Sequence, residues 1–289
     1  MNGVILDYEH FATHDGPGIR LVVFLKGCPL RCKWCHTPES QRQETELLYF
    51  REHCLGCGSC NSIFRQRPLI SPSREQFKQI ANCPVHAVSA AGKIVTAAEI
   101  AAVAEKEKIF FDEGGGLTIS GGEPLFQAEF TLEIARLVNE KNISCCIETC
   151  GFGSYDKLKK LLPYTDIFLF DYKATDAGLH RELTGQDNKL ILENLRKLDV
   201  DGARIILRCP LIGGMNDQLS HLHAIAELAE ELPHIEAVHV EPYHPMARGK
   251  YLALGLSFDG LPETFPDADT VNHYIRTISA NTSKPVLLA

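Results

Sequence analysis

The stretch Lys26-Gly27-Cys28-Pro29-Leu30-Arg31-Cys32-Lys33-Trp34-Cys35-His36 places three cysteines in the spacing C-x3-C-x2-C. It follows the apolar run at residues 21–25, which predicts a buried strand of a parallel sheet. Three thiolates this close together can hold three irons of a [4Fe-4S] cube and leave the fourth iron open to a small chelating molecule. An open metal position is typical of a catalytic site. The aromatic ring of Trp34 could pack on a flat heterocycle beside that iron.

Two other interpretations apply to three cysteines within eight residues. A zinc site normally has four ligands in two C-x2-4-C pairs, whereas this motif offers three. Disulfide bonds are typical of secreted chains, but residues 1–7 have neither a basic region nor a long apolar core and do not resemble a signal peptide. The motif therefore favours an iron-sulfur cluster.

The composition is that of an ordinary globular protein. The 289 residues are 45% hydrophobic and 23% charged, which suits one large domain or one domain with an insert. The net charge of −8 argues against a nucleic-acid partner, and no apolar run reaches the ~18 residues of a membrane span. Eleven cysteines in a chain without a leader indicate metal chemistry in a reducing compartment, so we expect a cytoplasmic protein without a membrane partner.

A second cysteine cluster lies within residues 47–95. Cys54, Cys57 and Cys60 stand in C-x2-C-x2-C spacing, and Cys83 follows after 22 residues, next to a proline. This arrangement resembles a bacterial ferredoxin with one cluster, in which Cys83 is the natural fourth ligand. A four-cysteine zinc knuckle is the alternative, but it would need paired ligands. The sequence therefore predicts a second, fully ligated [4Fe-4S] cluster in a small ferredoxin-like insert.

Strand and helix patterns alternate through segments 1–46 and 96–289, which are predicted to form the core around this insert. Six strands are predicted over residues 21–25, 117–119, 143–147, 167–170, 204–207 and 237–240. Such alternation implies a parallel sheet flanked by helices, and six units are fewer than the eight of a closed barrel. The predicted fold is α/β, a partial, open-sided (β/α)6 barrel with a small ferredoxin-like iron-sulfur insert.

Capping residues and apolar periodicity predict where the helices begin. Thr96 and Glu99 match a capping box at the start of the first core helix. A helix over residues 125–140 is predicted to place Phe126 on its apolar side. Three later helices are predicted to have the N-caps Ser154, Asp217 and Asp269.

Unusual residues follow the carboxyl ends of the six predicted strands, where chemistry lies in α/β sheets and barrels. After the three-cysteine loop, these ends carry Ser120-Gly121-Gly122-Glu123-Pro124, Glu148-Thr149-Cys150-Gly151, Asp171-Tyr172-Lys173, Arg208 and Glu241-Pro242-Tyr243-His244. Each motif alone is a weak signal, because a glycine pair is more often a turn and a lone histidine more often structural. Six of them on one rim predict a ligand site.

The ordered set of motifs resembles the radical S-adenosylmethionine (SAM) enzymes. Among them it is similar to the glycyl radical enzyme activating enzymes of the pyruvate formate-lyase (formate C-acetyltransferase) activating type, and the resemblance covers nearly the whole chain. It rests on Asp15-Gly16-Pro17-Gly18-Ile19-Arg20, the three-cysteine loop with Trp34, Gly-Gly-Glu-Pro, Asp-Tyr-Lys, Thr184-Gly185 and Glu-Pro-Tyr-His. The resemblance implies that the open iron chelates the amine and carboxylate of SAM. One electron from the cluster then splits the sulfonium and yields a 5′-deoxyadenosyl radical.

The resemblance also implies which residues bind SAM. Backbone carbonyls of a glycine pair could accept hydrogen bonds from the SAM ammonium, since glycine permits close approach. Lys173 suits the SAM carboxylate, while Arg208 and His244 could hydrogen-bond the ribose or that carboxylate. We expect SAM contacts from Trp34, Cys35, His36, Gly121, Gly122, Glu123, Thr149, Asp171, Tyr172, Lys173, Arg208 and His244, with Cys28, Cys32, Cys35 and Lys173 as the catalytic residues.

The implied reaction is hydrogen abstraction from the Cα of one glycine in a partner glycyl radical enzyme, with 5′-deoxyadenosine and methionine as products. Asp15 is predicted to meet that partner, and a reduced flavodoxin or ferredoxin is the predicted electron donor. A monovalent cation beside SAM is implied at Glu148, Thr149 and Asp171, where oxygen ligands suit a hard cation. Glu148 and Cys150 stand where relatives often have Asp and Asn or Ser.

Two other functions remain open at this point. One is a radical SAM enzyme that acts on a small molecule, such as one resembling 7-carboxy-7-deazaguanine synthase. Those chains tend to be shorter and to lack both the insert and the Asp-Gly-Pro-Gly-Ile-Arg motif. The other is a two-cluster electron-transfer protein, whose three-cysteine site would be closed by a fourth ligand and indifferent to SAM.

Overall fold

The computed structural model describes residues 1–58, 60, 73–81, 83–111 and 114–289. The strands are β1 (Asn2–Ala12), β2 (Arg20–Leu25), β3 (Glu46–Tyr49), β4 (Val88–Ala91), β5 (Lys93–Thr96), β6 (Gly116–Gly121), β7 (Ser144–Thr149), β8 (Ile167–Asp171), β9 (Ile205–Leu211), β10 (Ile235–Pro242) and β11 (Val286–Leu288). The α-helices are α1 (Arg74–Ala81), α2 (Ala97–Glu107), α3 (Ala128–Asn139), α4 (Tyr155–Leu161), α5 (Ala177–Thr184), α6 (Lys189–Val200), α7 (Leu219–Glu231), α8 (Arg248–Leu254) and α9 (Ala268–Ser279).

One large sheet forms the centre of the molecule, with the strand order β11-β10-β9-β8-β7-β6-β2-β1-β5. Neighbouring strands from β11 to β2 pair in parallel, whereas β1 is antiparallel to both β2 and β5. All six predicted strands are present as β2 and β6 to β10. They could be found because strands covered on both faces need nearly continuous apolar sequence. The predicted α/β fold with a mostly parallel sheet is confirmed.

The main core lies between this sheet and the helices that pack on it. Helices α2, α3, α4, α6 and α7 each direct an apolar face toward the sheet, because their apolar residues recur at spacings of three and four. Five residues, one from each of these helices, are completely buried: Ile100, Ile134, Leu158, Leu195 and Ile225. Burying a side chain of this size stabilises the fold by ~1.5–3 kcal/mol. Within the described ranges, no helix has both the length and the apolar character to span a membrane.

The first two helix predictions differ in outcome. Thr96 and Glu99 form the predicted capping box at the start of α2, with the Glu99 amide donating to Thr96 Oγ1 over 3.1 Å. The helix predicted over residues 125–140 begins later as an α-helix, because Pro124–Gln127 form a turn of 3₁₀-helix. That change of pitch leaves Phe126 46% exposed, so its predicted place on the apolar face is wrong.

The three predicted N-caps also need correction. Ser154 precedes α4, but its side chain makes no capping hydrogen bond. Asp217 accepts from an amide in the preceding turn, and α7 begins one residue later than that cap would require. Asp267 caps α9 in place of Asp269. Neighbouring short polar residues can all cap a helix, so the sequence locates a helix start only to within one or two positions.

Within residues 47–95, predicted to form an insert, the described part includes a separate two-stranded sheet. Strands β3 and β4 pair antiparallel. Leu47 of β3 and Val88 of β4 pack with Ile80 of α1. Residues 93–95, assigned to the insert from the sequence, lie in β5 and pair with β1 in the large sheet. Of the predicted insert at 47–95, residues 59, 61–72 and 82 lie outside the described residues.

Helix α8 connects the insert to the three-cysteine loop, and no sequence pattern predicts it. Ala253 and Leu254 pack against Leu48 of β3. On the same helix, Tyr251 Oη donates to the carbonyl of Lys33 in the cysteine loop over 3.2 Å. Helix α8 therefore contacts both the β3–β4 sheet and the three-cysteine loop.

Candidate functional site

A pocket lies at the carboxyl ends of the parallel strands, next to the three-cysteine loop. All six strand ends contribute to its wall. The lining includes Cys28, Cys32, Trp34, Cys35, His36, Gly121, Gly122, Glu148, Cys150, Asp171, Lys173, Pro210, Ile212, Glu241 and Tyr243. The predicted gathering of these motifs on one rim is therefore observed, because parallel strands end on the same edge of a sheet.

Backbone hydrogen bonds fix the shape of the three-cysteine loop. The Cys28 amide donates to the Gln41 carbonyl over 3.1 Å, and the Arg31 amide donates to the Thr184 carbonyl over 2.6 Å. Gly185 ends α5 in the left-handed conformation, with φ of 83°. That helix end presents the Thr184 carbonyl to the loop, which gives the Thr-Gly motif a structural role.

Burial sets the chemistry of the three cysteines, none of which is in a disulfide. It raises the pKa of Cys28 and Cys35. It also raises the pKa of Cys32 to about 12, although Lys173 acts to lower it. A free thiolate is thus disfavoured here. Cluster ligation requires thiolates, so coordination to iron would have to offset this cost of burial.

Gly121 and Gly122 bring the end of β6 against the cysteine loop. A Cβ on Gly121 would lie 2.2 Å from the Leu25 amide nitrogen, and one on Gly122 would lie 2.4 Å from the Gly27 carbonyl oxygen. The two glycines are required because the backbone after β6 approaches the backbone at the end of β2 and the start of the cysteine loop too closely for a Cβ. Both residues also line the pocket, so their contact with SAM stays a prediction.

Glu123 and Thr149 support the pocket from behind and do not line it. The Glu123 carboxylate accepts from Thr149 Oγ1 at 2.6 Å, from the Cys150 amide at 2.8 Å and from the Leu125 amide at 2.9 Å. Burial raises the pKa of Glu123, and these hydrogen bonds oppose the rise. The carboxylate ties the loop after β6 to the loop after β7. The structure therefore does not place either residue as a SAM contact.

Asp171 and Lys173 face the pocket together, as predicted. Lys173 Nζ donates to Asp171 Oδ2 over 2.9 Å, and the two side chains are only 13% and 14% exposed. Tyr172 points the other way because successive side chains alternate at a strand end. Its hydroxyl donates to Thr175 Oγ1, and its ring joins the main core. Tyr172 is therefore a core residue where a SAM contact was predicted.

Arg208 lies inside β9 and is surrounded by carboxylates. It pairs with Glu241, and its guanidinium is 3.6 Å from Glu148 and 3.5 Å from Asp15. Burial raises the pKa of Glu241 to about 7 and that of Asp15 to about 6, although Arg208 lowers both. The predicted contact of Arg208 with the ribose or the methionine carboxylate is not supported, because its guanidinium already pairs with three acidic side chains.

The predicted monovalent-cation site is not assembled. Glu148 accepts from the Ser120 hydroxyl and faces Arg208, while Asp171 is paired with Lys173. Thr149, the third predicted ligand, is bonded to a buried carboxylate on the far side. Arg208 and Lys173 therefore supply the positive charge beside Glu148 and Asp171.

Aromatic residues form the mouth of the pocket. The ring centroids of His36 and His244 are 3.5 Å apart with the ring planes tilted by 31°, and desolvation lowers the pKa of both, that of His36 to about 4. Trp34 packs against Tyr243 in a small apolar cluster. Within the described residues, Tyr243 Oη and His244 Nδ1 are buried without a hydrogen-bond partner. Buried polar atoms normally have partners, so this wall suits a polar ligand.

Comparisons with known proteins identify the family. The Radical SAM superfamily model matches residues 22–229. The isethionate sulfite-lyase activating enzyme of Nitratidesulfovibrio vulgaris is 38% identical, over 86% of this chain and 86% of its own. The choline trimethylamine-lyase activating enzyme of Oleidesulfovibrio alaskensis is 35% identical over 92% of both chains. This chain belongs to the glycyl radical enzyme activating enzymes.

A solved structure agrees with this assignment. A domain of pyruvate-formate lyase-activating enzyme from Bacteroides vulgatus has a TM-score of 0.51 and 25% identity, covering 60% of this chain and 99% of that one. The predicted membership of the glycyl radical enzyme activating enzymes is confirmed. This activating enzyme uses SAM to generate a glycyl radical on a partner, so the small-molecule and electron-transfer alternatives are set aside.

In this activating enzyme, Arg20 organises the turn at residues 15–18, a role that sequence reasoning misses. Arg20 is completely buried at the start of β2. Its guanidinium donates to the Pro17 carbonyl over 3.0 Å and to Thr118 Oγ1 over 2.6 Å. Thr118 in turn donates to the Asp15 carbonyl over 2.6 Å. A lone arginine at the start of an apolar strand is the signal that points to such a clamp.

Three cysteines of the predicted insert act electrostatically on the fourth in the activating enzyme. Cys54, Cys57 and Cys83 all act electrostatically on Cys60, whose pKa is raised first by burial and then by these neighbours. Cys60 also packs on the apolar cluster of the insert. The Gly56 amide donates to Cys54 Sγ over 3.4 Å, which turns this thiol toward the backbone.

Proposed function

We propose that Cys28, Cys32 and Cys35 hold a [4Fe-4S] cluster in the pocket and that SAM binds beside it. The observation that carries this proposal is the arrangement of three half-buried, unbridged thiols and one partly buried acid–base pair around a single pocket. When bound, the cluster supplies the electron for reductive cleavage of SAM. The protein's own contribution is to hold the cluster and SAM in a fixed relative position and to exclude water from the pocket.

The acid–base pair is proposed to grip the methionine part of SAM. Asp171 and Lys173 offer one charge of each sign, which matches an ammonium and a carboxylate on one carbon. The unpaired His244 Nδ1 is available to a hydroxyl or carboxylate, and Trp34 gives an apolar wall. The proposal includes no monovalent cation, because Arg208 already faces Glu148 and Lys173 pairs with Asp171.

A second [4Fe-4S] cluster is proposed in the insert, held by Cys54, Cys57, Cys60 and Cys83. The electrostatic proximity of these thiols supports it. With four protein ligands this cluster would not chelate SAM, so its roles are to relay electrons from a reduced flavodoxin or ferredoxin, or to stabilise the insert. Cys57→Ala should keep SAM binding while lowering turnover or the yield of folded protein. Loss of SAM affinity in a folded variant that retains the first cluster would contradict this division.

The core is proposed to be a partial, open-sided (β/α)6 barrel built from segments 1–46 and 96–289, with the insert between them. The linear strand order, with β11 at one edge and β5 at the other, supports an open side. An open side could admit a peptide segment of a partner protein, whereas a closed barrel would admit only small molecules. Asp15, beside Arg208, is proposed to contact that partner.

Iron content tests the cluster assignments. The anaerobically reconstituted enzyme should carry about eight irons per chain, four per cube. Changing Cys28, Cys32 and Cys35 together to Ala should leave about four irons and abolish SAM cleavage. About four irons in the unmodified enzyme, with no loss on Cys54→Ala, would show that the insert holds no cluster.

The partner is proposed to be a glycyl radical enzyme that eliminates a leaving group from its substrate. The two relatives named above, activators of a sulfite-lyase and a trimethylamine-lyase, support this class. The motifs alone leave pyruvate formate-lyase-like, glycerol or diol dehydratase-like and decarboxylase-like partners open. A formate C-acetyltransferase, the partner of the activating type that the motifs resemble, is the alternative. Reduced enzyme and SAM should be incubated with one purified partner of each class, and the glycyl radical counted by electron paramagnetic resonance. Radical on the acetyltransferase alone would overturn the proposed class.

A further inference from the structure

Lys26 stands just before the three-cysteine loop, and the chemistry proposed above does not use it. It follows β2 directly and is completely buried. Lysine is almost never fully buried unless its ammonium is paired, because removing the charge from water is costly. A buried ion pair also adds little net stability compared with apolar packing in the same space. Stability alone therefore does not account for a lysine at this position.

The Lys26 ammonium makes the first of three consecutive contacts between the cysteine loop and the segment that follows it. Donors from residues 26–28 bond to the carbonyls of residues 39–41, so the two stretches lie side by side. We call this set of hydrogen bonds the loop ladder. Its three bonds are Lys26 Nζ to Glu39, the Gly27 amide to Ser40 over 2.7 Å and the Cys28 amide to Gln41 over 3.1 Å.

The loop ladder sets the spacing of two of the three cysteines. Cys28 belongs to one side of it, and on the other side the Gln41 side chain hydrogen-bonds the Cys35 thiol. Ser40 and Gln41 also line the pocket. A displacement of residues 39–41 would therefore move Cys28 relative to Cys35, and both are proposed ligands of the cluster that chelates SAM.

The two ends of the insert enclose Lys26. Its ammonium is 3.3 Å from a carboxylate oxygen of Glu46, the first residue of β3, whose side chain is only 5% exposed. Gly92, between β4 and β5, covers the lysine stem, since a Cβ there would lie 2.7 Å from Lys26 Cδ. The Thr45 hydroxyl donates to the Gly92 carbonyl over 3.3 Å and so joins the two ends. The base of the insert therefore holds the lysine that begins the loop ladder.

We propose that Lys26 is a positioning residue for SAM cleavage, through which the base of the insert holds the three-cysteine loop in the geometry that binds the cluster and SAM. This inference rests on the proposed function of that loop. It concerns the chain at residues 45–46 and 91–92, whereas the four insert cysteines lie between these two ends. Loss of the second cluster is thus compatible with normal SAM binding, and loss of the Lys26 ammonium is not.

Two variants separate this role from a merely structural one, because both break the same buried ion pair. Lys26→Met keeps the stem but also removes the bond to the Glu39 carbonyl, whereas Glu46→Gln keeps an acceptor for Lys26 and leaves the loop ladder intact. Both should lower the melting temperature. Only Lys26→Met should weaken SAM binding, by about tenfold or more, which is the scale on which residues supporting metal ligands act.

The readout is electron paramagnetic resonance of the full, reconstituted and reduced enzyme as SAM is added. A cluster with four protein ligands has no open iron, so the change of signal reports the cluster of the three-cysteine loop. Iron content is measured first, so that SAM affinities are compared per loaded site. Loss of about four irons in Lys26→Met but not in Glu46→Gln would support the proposal as well.

A pair of glycines gives a second test that leaves Lys26 in place. Gly92 and Gly202 have φ of 111° and 80°, so alanine is strained at both positions. A Cβ at Gly92 would meet the Lys26 stem, whereas a Cβ at Gly202 would meet nothing within 4 Å. Gly92→Ala should weaken SAM binding at least about threefold, and Gly202→Ala, the matched control, should not.

Three results would overturn the inference and leave the proposed function in place. One is wild-type SAM affinity and an unchanged spectrum in Lys26→Met. Another is an equal loss of SAM affinity in Glu46→Gln, which would make the effect one of stability. If Lys26→Met does not fold, the glycine pair decides, and equal SAM affinity in its two variants is the third. A wild type that neither loads the three-cysteine site nor responds to SAM would refute the proposed function itself.

Discussion

Removing the charge of Arg208 should destabilise the enzyme strongly. Arg208→Met keeps most of the side-chain stem but removes the guanidinium that pairs with Glu241 and faces Glu148 and Asp15. The Arg208 side chain is 9% exposed, so water cannot take its place. Removing one partner of a buried ion pair costs about 3–5 kcal/mol, because the charges left behind are uncompensated.

The loss should depend on pH. Burial raises the pKa of Glu241 from 4.5 to about 7 and that of Asp15 from 3.8 to about 6, against the effect of Arg208. A raised carboxyl pKa means that the folded state holds the proton more tightly. Its stabilising effect is complete below the unfolded pKa and is lost as pH rises through the folded value. Without the guanidinium both pKa values rise further, so the destabilisation should be smaller at pH 6 than at pH 8 by about 1–2 kcal/mol.

Anaerobic thermal melting of the reconstituted enzyme at pH 6 and pH 8 measures both effects. For a chain of this size, about 3–5 kcal/mol lowers the melting temperature at pH 8 by about 6–15 °C. The matched control is Arg204→Met, which removes an exposed pair with Glu236 worth about 0–1 kcal/mol. An unchanged melting temperature at pH 8, or an equal loss at both pH values, would refute the reasoning.

Three further predictions follow from single contacts. Gly122→Ala should lower the iron bound at the three-cysteine site, because its Cβ would lie 2.4 Å from the Gly27 carbonyl, whereas Gly213→Ala, in open space, should not; equal iron in both variants would contradict this. Glu123→Gln should lower stability by about 1–3 kcal/mol in thermal melts but leave SAM affinity unchanged, and lost affinity without lost stability would restore its predicted SAM contact. Burial lowers the pKa of His221 to about 4, so its contribution to stability is lost as pH falls below 6.5, by up to about 1.4 kcal/mol per pH unit. His221→Leu should therefore flatten the melting profile between pH 6.5 and 5, and an unchanged slope would count against it.

The sequence predicts the parallel strands and the rim well, because both depend on local pattern. A run such as residues 21–25 has no polar alternation and can only be covered on both faces. Once those strands are parallel, the residues that follow them must meet at one edge. The cysteine loop, Gly121 and Asp171 therefore come together as predicted.

The failures concern which way a side chain points and what lies opposite it. Thr149 ends β7 and Tyr172 follows β8, as predicted, but the alternation of side chains along a strand turns both away from the pocket. Arg208 is bound by acids from three distant segments, which no local pattern reveals. Helix α8 is only seven residues long, too short for a periodic pattern, and it packs against Leu48 from a distant part of the chain.

The most direct test of the central claim is the electron paramagnetic resonance signal of the activated partner. Reduced enzyme, SAM and the correct partner should give a doublet, split by the remaining α-hydrogen of one glycine. Labelling the partner with α-deuterated glycine should collapse the doublet toward a singlet and place deuterium in 5′-deoxyadenosine. An unchanged doublet together with unlabelled 5′-deoxyadenosine would place the hydrogen abstraction elsewhere and contradict the account.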